Sequence, residues 1–188
     1  MIASEYKDDN TGDHIVRMAR YSALISERLG LPAGDVQNIL YAAPMHDVGK
    51  IGIPDSILMK PGKLTAEEFE IMKSHTTIGA KILANSEAEI LKIAAQIALS
   101  HHEKWNGKGY PQGLSGDEIP LFGRIAGLAD VFDALTSRRP YKDPFPAEVA
   151  FEIIREERGK HFDPDMVDVF LENIDEVLQI KAEVTSSS

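Results

Sequence analysis

Residues 46–65 read HDVGKIGIPDSILMKPGKLT, and the first two letters carry the argument for both fold and chemistry. Upstream, Val36, Ile39, Leu40 and Ala43 recur at helical spacing, and His46 falls one step further along the same face. Asp47 follows at once, where that helix meets Val48-Gly49-Lys50. A carboxylate there is costly to bury without a cation. Working outward, His14, His75, His101 and His102 stand where a helical domain could converge them on the same point. Asp130 sits in Ala129-Asp130-Val131-Phe132, an apolar helix interior where a solvated acid is out of place, and Asp133 follows on an adjacent part of that face. Imidazole and carboxylate are the ligands of hydrolytic metal centres, which use several at once. One histidine on an apolar face is more often a core residue with satisfied hydrogen bonds. Five histidines with Asp47 and Asp130 favour a metal site over a purely structural cluster.

The rest of the chain reads almost wholly helical. Ile15, Met18, Ser22, Ile25 and Leu29 keep helical spacing until Gly30 and Pro32. Pro54-Asp55 opens a short helical turn before the Pro61-Gly62 break. Thr65 with Glu68, and Ser86 with Glu89, have capping-box spacing, each before an amphipathic run. Those runs carry His75 and then His101-His102 in their later turns, where adjacent residues, roughly 100° apart, suit two directions toward one ion or ligation at a helix end. A Gly-rich loop spans about 103–119, Pro120 starts a helix through Leu135, and Asp163-Pro164 caps the last helix. No strand, repeat or linker stands out.

Composition narrows the chemistry. The 188 residues suit one well-cored domain, and 43% hydrophobic with 27% charged residues is ordinary for a soluble globular protein. There is no cysteine, so a metal must be held by nitrogen and oxygen; this excludes thiolate zinc sites and favours Fe, Mn or another ion that accepts oxygen and imidazole ligands. Twenty basic against thirty acidic residues give a net charge of −10, which opposes long nucleic acids and anionic membranes. Two divalent ions would still leave the site itself positive, open to a small anionic substrate. No apolar stretch approaches the ~20 residues of a membrane span. The polar start MIASEYKDDN shows no secretory signal, so the expected location is cytoplasmic. Two metals bridged by Asp47 would find ligands on both sides, the arrangement that clamps an in-line displacement at phosphorus. Lys50, four residues after His46, either reaches a phosphate oxygen or is a solvated lysine.

Together these residues resemble the HD-GYP family, a branch of the HD superfamily of metal-dependent phosphohydrolases, over about residues 10–177. The resemblance rests on His14-x-x-Arg17, on HDVGKIGIPDSILMKPGKLT, on His75-x-x-x-Gly79, on HHEKWNGKGYPQGLSGDEIP (101–120), on RIAGLADVFDALTSRRPYK (124–142) and on HFDP (161–164). It implies an all-α fold, an HD-type bundle of about seven helices with a Gly-rich GYP loop, as a single domain over 1–188 with its core at about 10–180. It implies as metal ligands His14, His46, Asp47, His75, His101, His102 and Asp130, with Asp47 and Lys50 catalytic. Lys50 matches the family lysine beside the scissile phosphate. Asp133, Arg139 and Lys142 match positions of substrate binding or site organisation, and Gly109, Tyr110 and Pro111 shape a loop near the entrance.

The activity so implied is two-metal hydrolysis of cyclic di-GMP to pGpG and/or GMP in bacterial signal transduction, with iron or manganese as cofactor. The alternatives are a phosphodiesterase for another cyclic dinucleotide or nucleotide, and a non-catalytic cyclic di-GMP receptor module. Implied partners are diguanylate cyclase domains at the GYP loop and an N-terminal sensory or receiver domain in the full-length protein. Some members hold a third metal through a glutamate four residues before the first histidine. Here that position is Asn10, a poor ligand for a hard cation, so two metals are expected; Asn106, where Asp is commoner, is a milder departure. His161 is assigned no metal and is expected to help fix the last helix.

Overall fold

A computed structural model describes residues 12–138 and 143–186, with side chains through Val184. The fold is all-helical over these residues. Its segments are α1 (Gly12–Arg28), α2 (Ala33–Ala42), α3 (Asp55–Leu58), α4 (Ala66–Lys73), α5 (His75–Leu83), α6 (Glu89–Ser100), α7 (Leu121–Thr136), α8 (Ala147–Glu156), α9 (Pro164–Glu172) and α10 (Ile174–Ser186). Short 3-10 turns cover Ala43–Met45, Val48–Gly52 and Gly116–Glu118. The only extended pairing among the described residues is two isolated bridges, Asn106 with Ser115 and Arg158 with Phe162.

Several short segments come from local breaks in longer runs. α3 is a single turn, α4 and α5 part at Ser74, and α9 and α10 part at Asn173. At both joints a side chain bonds back to the helix it ends: the Ser74 hydroxyl donates to the Ile71 carbonyl, and Asn173 Nδ2 donates to the Val169 carbonyl. α1 ends where expected, with Gly30 N–H bonded to Glu27 and Leu31 N–H to Ser26.

The capping signals divide. Thr65 and Glu68 form the expected reciprocal box at the start of α4. Ser86 and Glu89 do not: α6 starts after Ala88, and the Ser86 hydroxyl accepts from the Ala88 N–H only two residues on. A box appears instead at Ser115 and Glu118, inside the Gly-rich loop. Asp163 caps α9 through the Asp165 N–H, yet α9 is not the last helix, because α10 follows. An additional helix, α8, buries Ala150, Phe151 and Ile154.

The core explains why two acids lie inside α7. Met18, Tyr21 and Ile25 of α1, Ile39 of α2, Ile97 of α6 and Ile125, Leu128 and Phe132 of α7 belong to one buried cluster. Phe132 meets the rings of Tyr21, Phe151 and Phe170 at centroid distances of 5.3, 5.1 and 5.1 Å. Each such side chain contributes roughly 1.5–3 kcal/mol by leaving water. α7 is covered on almost every side, so Asp130 and Asp133 are buried with their neighbours. A smaller cluster of Ile53, Ile57 and Met72 supports the turn that follows His46-Asp47.

Candidate metal centre

Five stretches of chain bring the ligands together. α1 supplies His14 from its first turn, and the turn after α2 supplies His46 and Asp47. His75 opens α5, His101 and His102 close α6, and Asp130 projects from the middle of α7. Close backbone contact makes this convergence feasible: a Cβ on Gly49 would lie 1.9 Å from the His75 carbonyl oxygen and 2.4 Å from the Gly79 nitrogen. Only glycine lets the His46-Asp47 turn press against the start of α5.

All seven expected ligands meet, in two groups whose ligand atoms lie within 4.8 Å of one another. One group is His14, His46 and Asp130; the other is Asp47, His75, His101 and His102. Asp47 faces both. Its Oδ1 lies 3.3 Å from His75 Nε2 and 3.8 Å from His101 Nε2, while its Oδ2 lies 3.2 Å from His46 Nε2. Asp130 Oδ1 stands 3.8 Å from His14 Nε2 and 3.9 Å from His46 Nε2.

Hydrogen bonds on the far side of each ring fix which nitrogen points inward. The Nδ1 of His46, His75 and His101 bonds the carbonyls of Ala43, Met72 and Ile97 at 3.0, 2.7 and 3.0 Å. A carbonyl only accepts, so Nδ1 carries the hydrogen and Nε2 presents a lone pair. His14 Nδ1 bonds Asp133 Oδ2 at 2.8 Å, a carboxylate–histidine pair. Asp133 is fully buried, and Arg17 donates to it through Nε and Nη2 at 2.5 and 3.0 Å.

The residues fit a divalent metal on their own evidence. The Nε2 atoms of His46, His75 and His101 and Oδ1 of Asp47 are buried without a hydrogen-bond partner. Orphaned polar atoms of this kind cost about 1–3 kcal/mol each, and here they all face one small space. The donors are imidazole and carboxylate throughout, a set suited to divalent transition ions.

The electrostatics agree. Burial opposes the ionised form of Asp47, but His46, Lys50 and His101 outweigh it and hold the carboxyl well below its usual range. Burial would likewise lower His46, yet the charges of Asp47 and Asp130 prevail and hold it up at about 9. A proton and a cation therefore compete for the same nitrogen. Burial first, and neighbouring histidines second, push His101 and His102 well below the ordinary imidazole value, into the neutral form that ligates metal.

The remaining expected residues separate. Lys50 is buried, with Nζ 2.7 Å from Asp47 Oδ2, which removes the solvated-lysine reading. Of the two roles expected of Asp133, substrate binding or site organisation, its surroundings suit the second: its carboxylate is wholly buried and engaged by His14 and Arg17. Tyr110, between Gly109 and Pro111, stacks on His102 at 4.7 Å and 27° and donates its N–H to the His102 carbonyl. A Cβ on Gly109 would sit 2.4 Å from the backbone of Glu103 and Lys104, so the loop needs glycine there too. Arg139, Lys142 and Asn10 lie outside the described residues. His161 joins neither ligand group and stacks on Phe162 at 4.3 Å, just ahead of α9.

Arg17 and Glu103 support the site without being expected ligands. Arg17 was visible as His14-x-x-Arg17, one turn on, but its partner is 116 residues away. Glu103 is buried and accepts from the N–H groups of Gln112 and Leu114 at 2.7 and 3.1 Å, holding the Gly-rich loop. An acid immediately after His101-His102 was the available signal.

A family model described as HD domain matches residues 2–166. The chain belongs to the HD domain family. Among HD relatives, a Cyclic di-GMP phosphodiesterase of Thermotoga maritima is 52% identical over 94% of this chain and 48% of its own length. A 3'3'-cGAMP-specific phosphodiesterase 2 of Vibrio cholerae is 46% identical over 96% of this chain and 34% of its own. The Cyclic di-GMP phosphodiesterase response regulator RpfG of Xanthomonas campestris is 45% identical, covering 99% and 49%. The chain thus spans about half the length, or less, of the curated relatives it matches. The HD fold is shared with a solved cyclic GMP-AMP phosphodiesterase of V. cholerae at a TM-score of 0.66, 24% identity and 92% and 48% coverage. It is shared as well with an HDG"Y"P protein of Bdellovibrio bacteriovorus at 0.65 and 20%, covering 89% and 53%.

Proposed function

We propose that this HD domain is a metal-dependent phosphodiesterase that hydrolyses cyclic di-GMP to pGpG and/or GMP. The observation that carries the reading is the split of seven ligands into two groups with Asp47 between them. The HD relatives named as cyclic di-GMP phosphodiesterases support the substrate. Two divalent ions, Fe or Mn, held by His14, His46 and Asp130 on one side and His75, His101 and His102 on the other, with Asp47 shared, would supply Lewis-acid polarisation and an activated water. The remaining work belongs to the chain. Carbonyls of Ala43, Met72 and Ile97 hold three imidazoles in the ligating tautomer, and Asp133 holds His14. The Lys50 ammonium, fixed beside Asp47, opposes negative charge developing on phosphate oxygens. Packing buries the ligands, which strengthens each of these interactions.

A net charge of −10 disfavours long nucleic acid as substrate, and no described helix is long and apolar enough to cross a membrane. We place the domain in the cytoplasm as the output of a longer bacterial signalling protein with an N-terminal sensory or receiver domain. The GYP loop is the surface offered to diguanylate cyclase partners.

A second reading, 3'3'-cGAMP as the preferred substrate, is favoured by the 46%-identical relative of that specificity. Anaerobically purified protein, with its metals quantified, should be assayed on both cyclic dinucleotides and on linear nucleotides. Cleavage of cyclic di-GMP with the highest kcat/KM is expected, and faster turnover of 3'3'-cGAMP would transfer the reading to that substrate. Folded, metal-loaded protein that cleaves neither, yet binds cyclic di-GMP after metal removal, would make the domain a receptor.

A further inference from the structure

On the wall of the metal centre, three side chains form a platform that neither the ligand set nor the core requires. Tyr110 lies on His102, and Phe69 of α4 meets Tyr110 edge-on at 6.2 Å and 80°. Lys73, one turn further along α4, places Nζ 5.1 Å from the Phe69 centroid and 5.5 Å from the Tyr110 centroid. Phe69 belongs to neither hydrophobic cluster and keeps 41% of its surface exposed, although burying a phenylalanine is favourable. Helix α4 therefore spends its largest apolar side chain on a solvent-facing ring one residue removed from a metal ligand. The Lys73 ammonium bonds Glu70 at 2.6 Å, and an ammonium has three donors to give.

We propose that Phe69, Lys73 and Tyr110 form the purine subsite of this domain and that Lys73 biases it toward guanine. The proposal rests on the phosphodiesterase reading above for its ligand class, a nucleotide whose phosphate sits at the metal centre. An aromatic face accepts any base by stacking, so Phe69 supplies affinity without choice. Lysine only donates, and guanine offers two adjacent acceptors, O6 and N7, where adenine offers N7 beside an amino donor. The capping box of Thr65 and Glu68 and the ion pair of Lys60 with Glu68 at 2.5 Å anchor the start of α4. Glu103 anchors the loop that carries Tyr110. Both halves of the platform are thus held by residues that do not touch a base.

The test uses the metal-loaded chain and two variants, Phe69→Ala and Lys73→Gln. Calorimetric titration with GMP and AMP is paired with kcat and KM on cyclic di-GMP and with metal content. Phe69→Ala is expected to weaken GMP and AMP alike, and to raise KM by about tenfold with kcat within about twofold. Lys73→Gln is expected to weaken GMP by about tenfold and AMP by less than about twofold, since the change removes a guanine contact. Equal weakening of both nucleotides by Lys73→Gln would assign the lysine to phosphate and overturn the guanine bias. Unchanged affinities and KM in both variants would overturn the subsite itself. Wild-type protein that binds GMP through Phe69 and Lys73 but cleaves no cyclic dinucleotide would keep the subsite and sink the phosphodiesterase reading.

Discussion

The two ligand groups are built alike in donor type and differently in support. In the group of Asp47, His75, His101 and His102, the rings of His75 and His101 lean on main-chain carbonyls at 2.7 and 3.0 Å. In the group of His14, His46 and Asp130, His46 likewise leans on the Ala43 carbonyl, but His14 leans on a side chain, and that side chain needs Arg17 in turn. Main-chain support comes with the helix and survives most substitutions. Side-chain support is a chain of dependence from Arg17 to Asp133 to His14, and any link can be cut without touching a ligand. The difference separates what the fold guarantees from what particular residues must maintain.

The comparison breaks most completely at Asp47, which serves both groups. Asp47→Ala should empty both positions and reduce turnover to background, read by metal analysis and activity together; full activity in that variant would remove the shared role. Asp133→Asn tests the asymmetry itself. It leaves Arg17 buried without its anion, so stability should fall by about 3–5 kcal/mol in urea unfolding. Metal affinity of the His14 group should drop about 10–100-fold while the other group keeps its ion, giving about one metal per chain. Equal loss from both groups would show that they do not act separately.

Glu103→Gln weakens a charge-assisted clamp on the Gly-rich loop and should cost about 1.5–3 kcal/mol, with metal content retained and proteolysis appearing within 103–119. His161 asks how far the comparison concerns metal rather than burial. Burial, then the charge of Lys104, lowers it to about 3. The unfolded chain takes up this proton near pH 6.5 and the folded chain only near pH 3, so its contribution to stability is complete above 6.5 and declines as pH falls through that window. The slope is at most about 1.4 kcal/mol per pH unit. His161→Phe should flatten the dependence of Tm on pH over that interval, and an unchanged profile would show that His161 is not its source.

What was legible in the sequence was mostly local. The C-terminal end of α1, the Thr65 box and the Asp163 cap follow from residues within five positions of one another. The ligands were legible for another reason: Asp130 and His46 are polar residues on apolar faces, which only a partner can explain. Supporting roles were not, because they depend on pairings across the chain. Asp133 and His14 are 119 residues apart, and nothing in either segment states which group the carboxylate meets. Glu103 needed the path of the loop, since its partners Gln112 and Leu114 matter only once the chain has turned back. Lys50 was three residues from its partner, so the spacing alone could have named Asp47. The failed box at Ser86 marks the opposite limit: correct letters at correct spacing form no cap when the helix starts two residues later.

The carbonyls of Ala43, Met72 and Ile97 have one more consequence. Each lies in the closing turn of the helical segment before its histidine and already accepts a main-chain N–H, from His46, Ser74 and His101 respectively. The same imidazole that offers Nε2 to a cation therefore donates Nδ1–H to the second lone pair of a helix-end carbonyl. Ligand aiming thus draws on carbonyls that the helix ends already hold in place, so the rings are oriented by folding before any ion arrives. The partial negative charge at a helix C-terminus, felt through Nδ1–H, also makes each Nε2 a stronger donor to a cation.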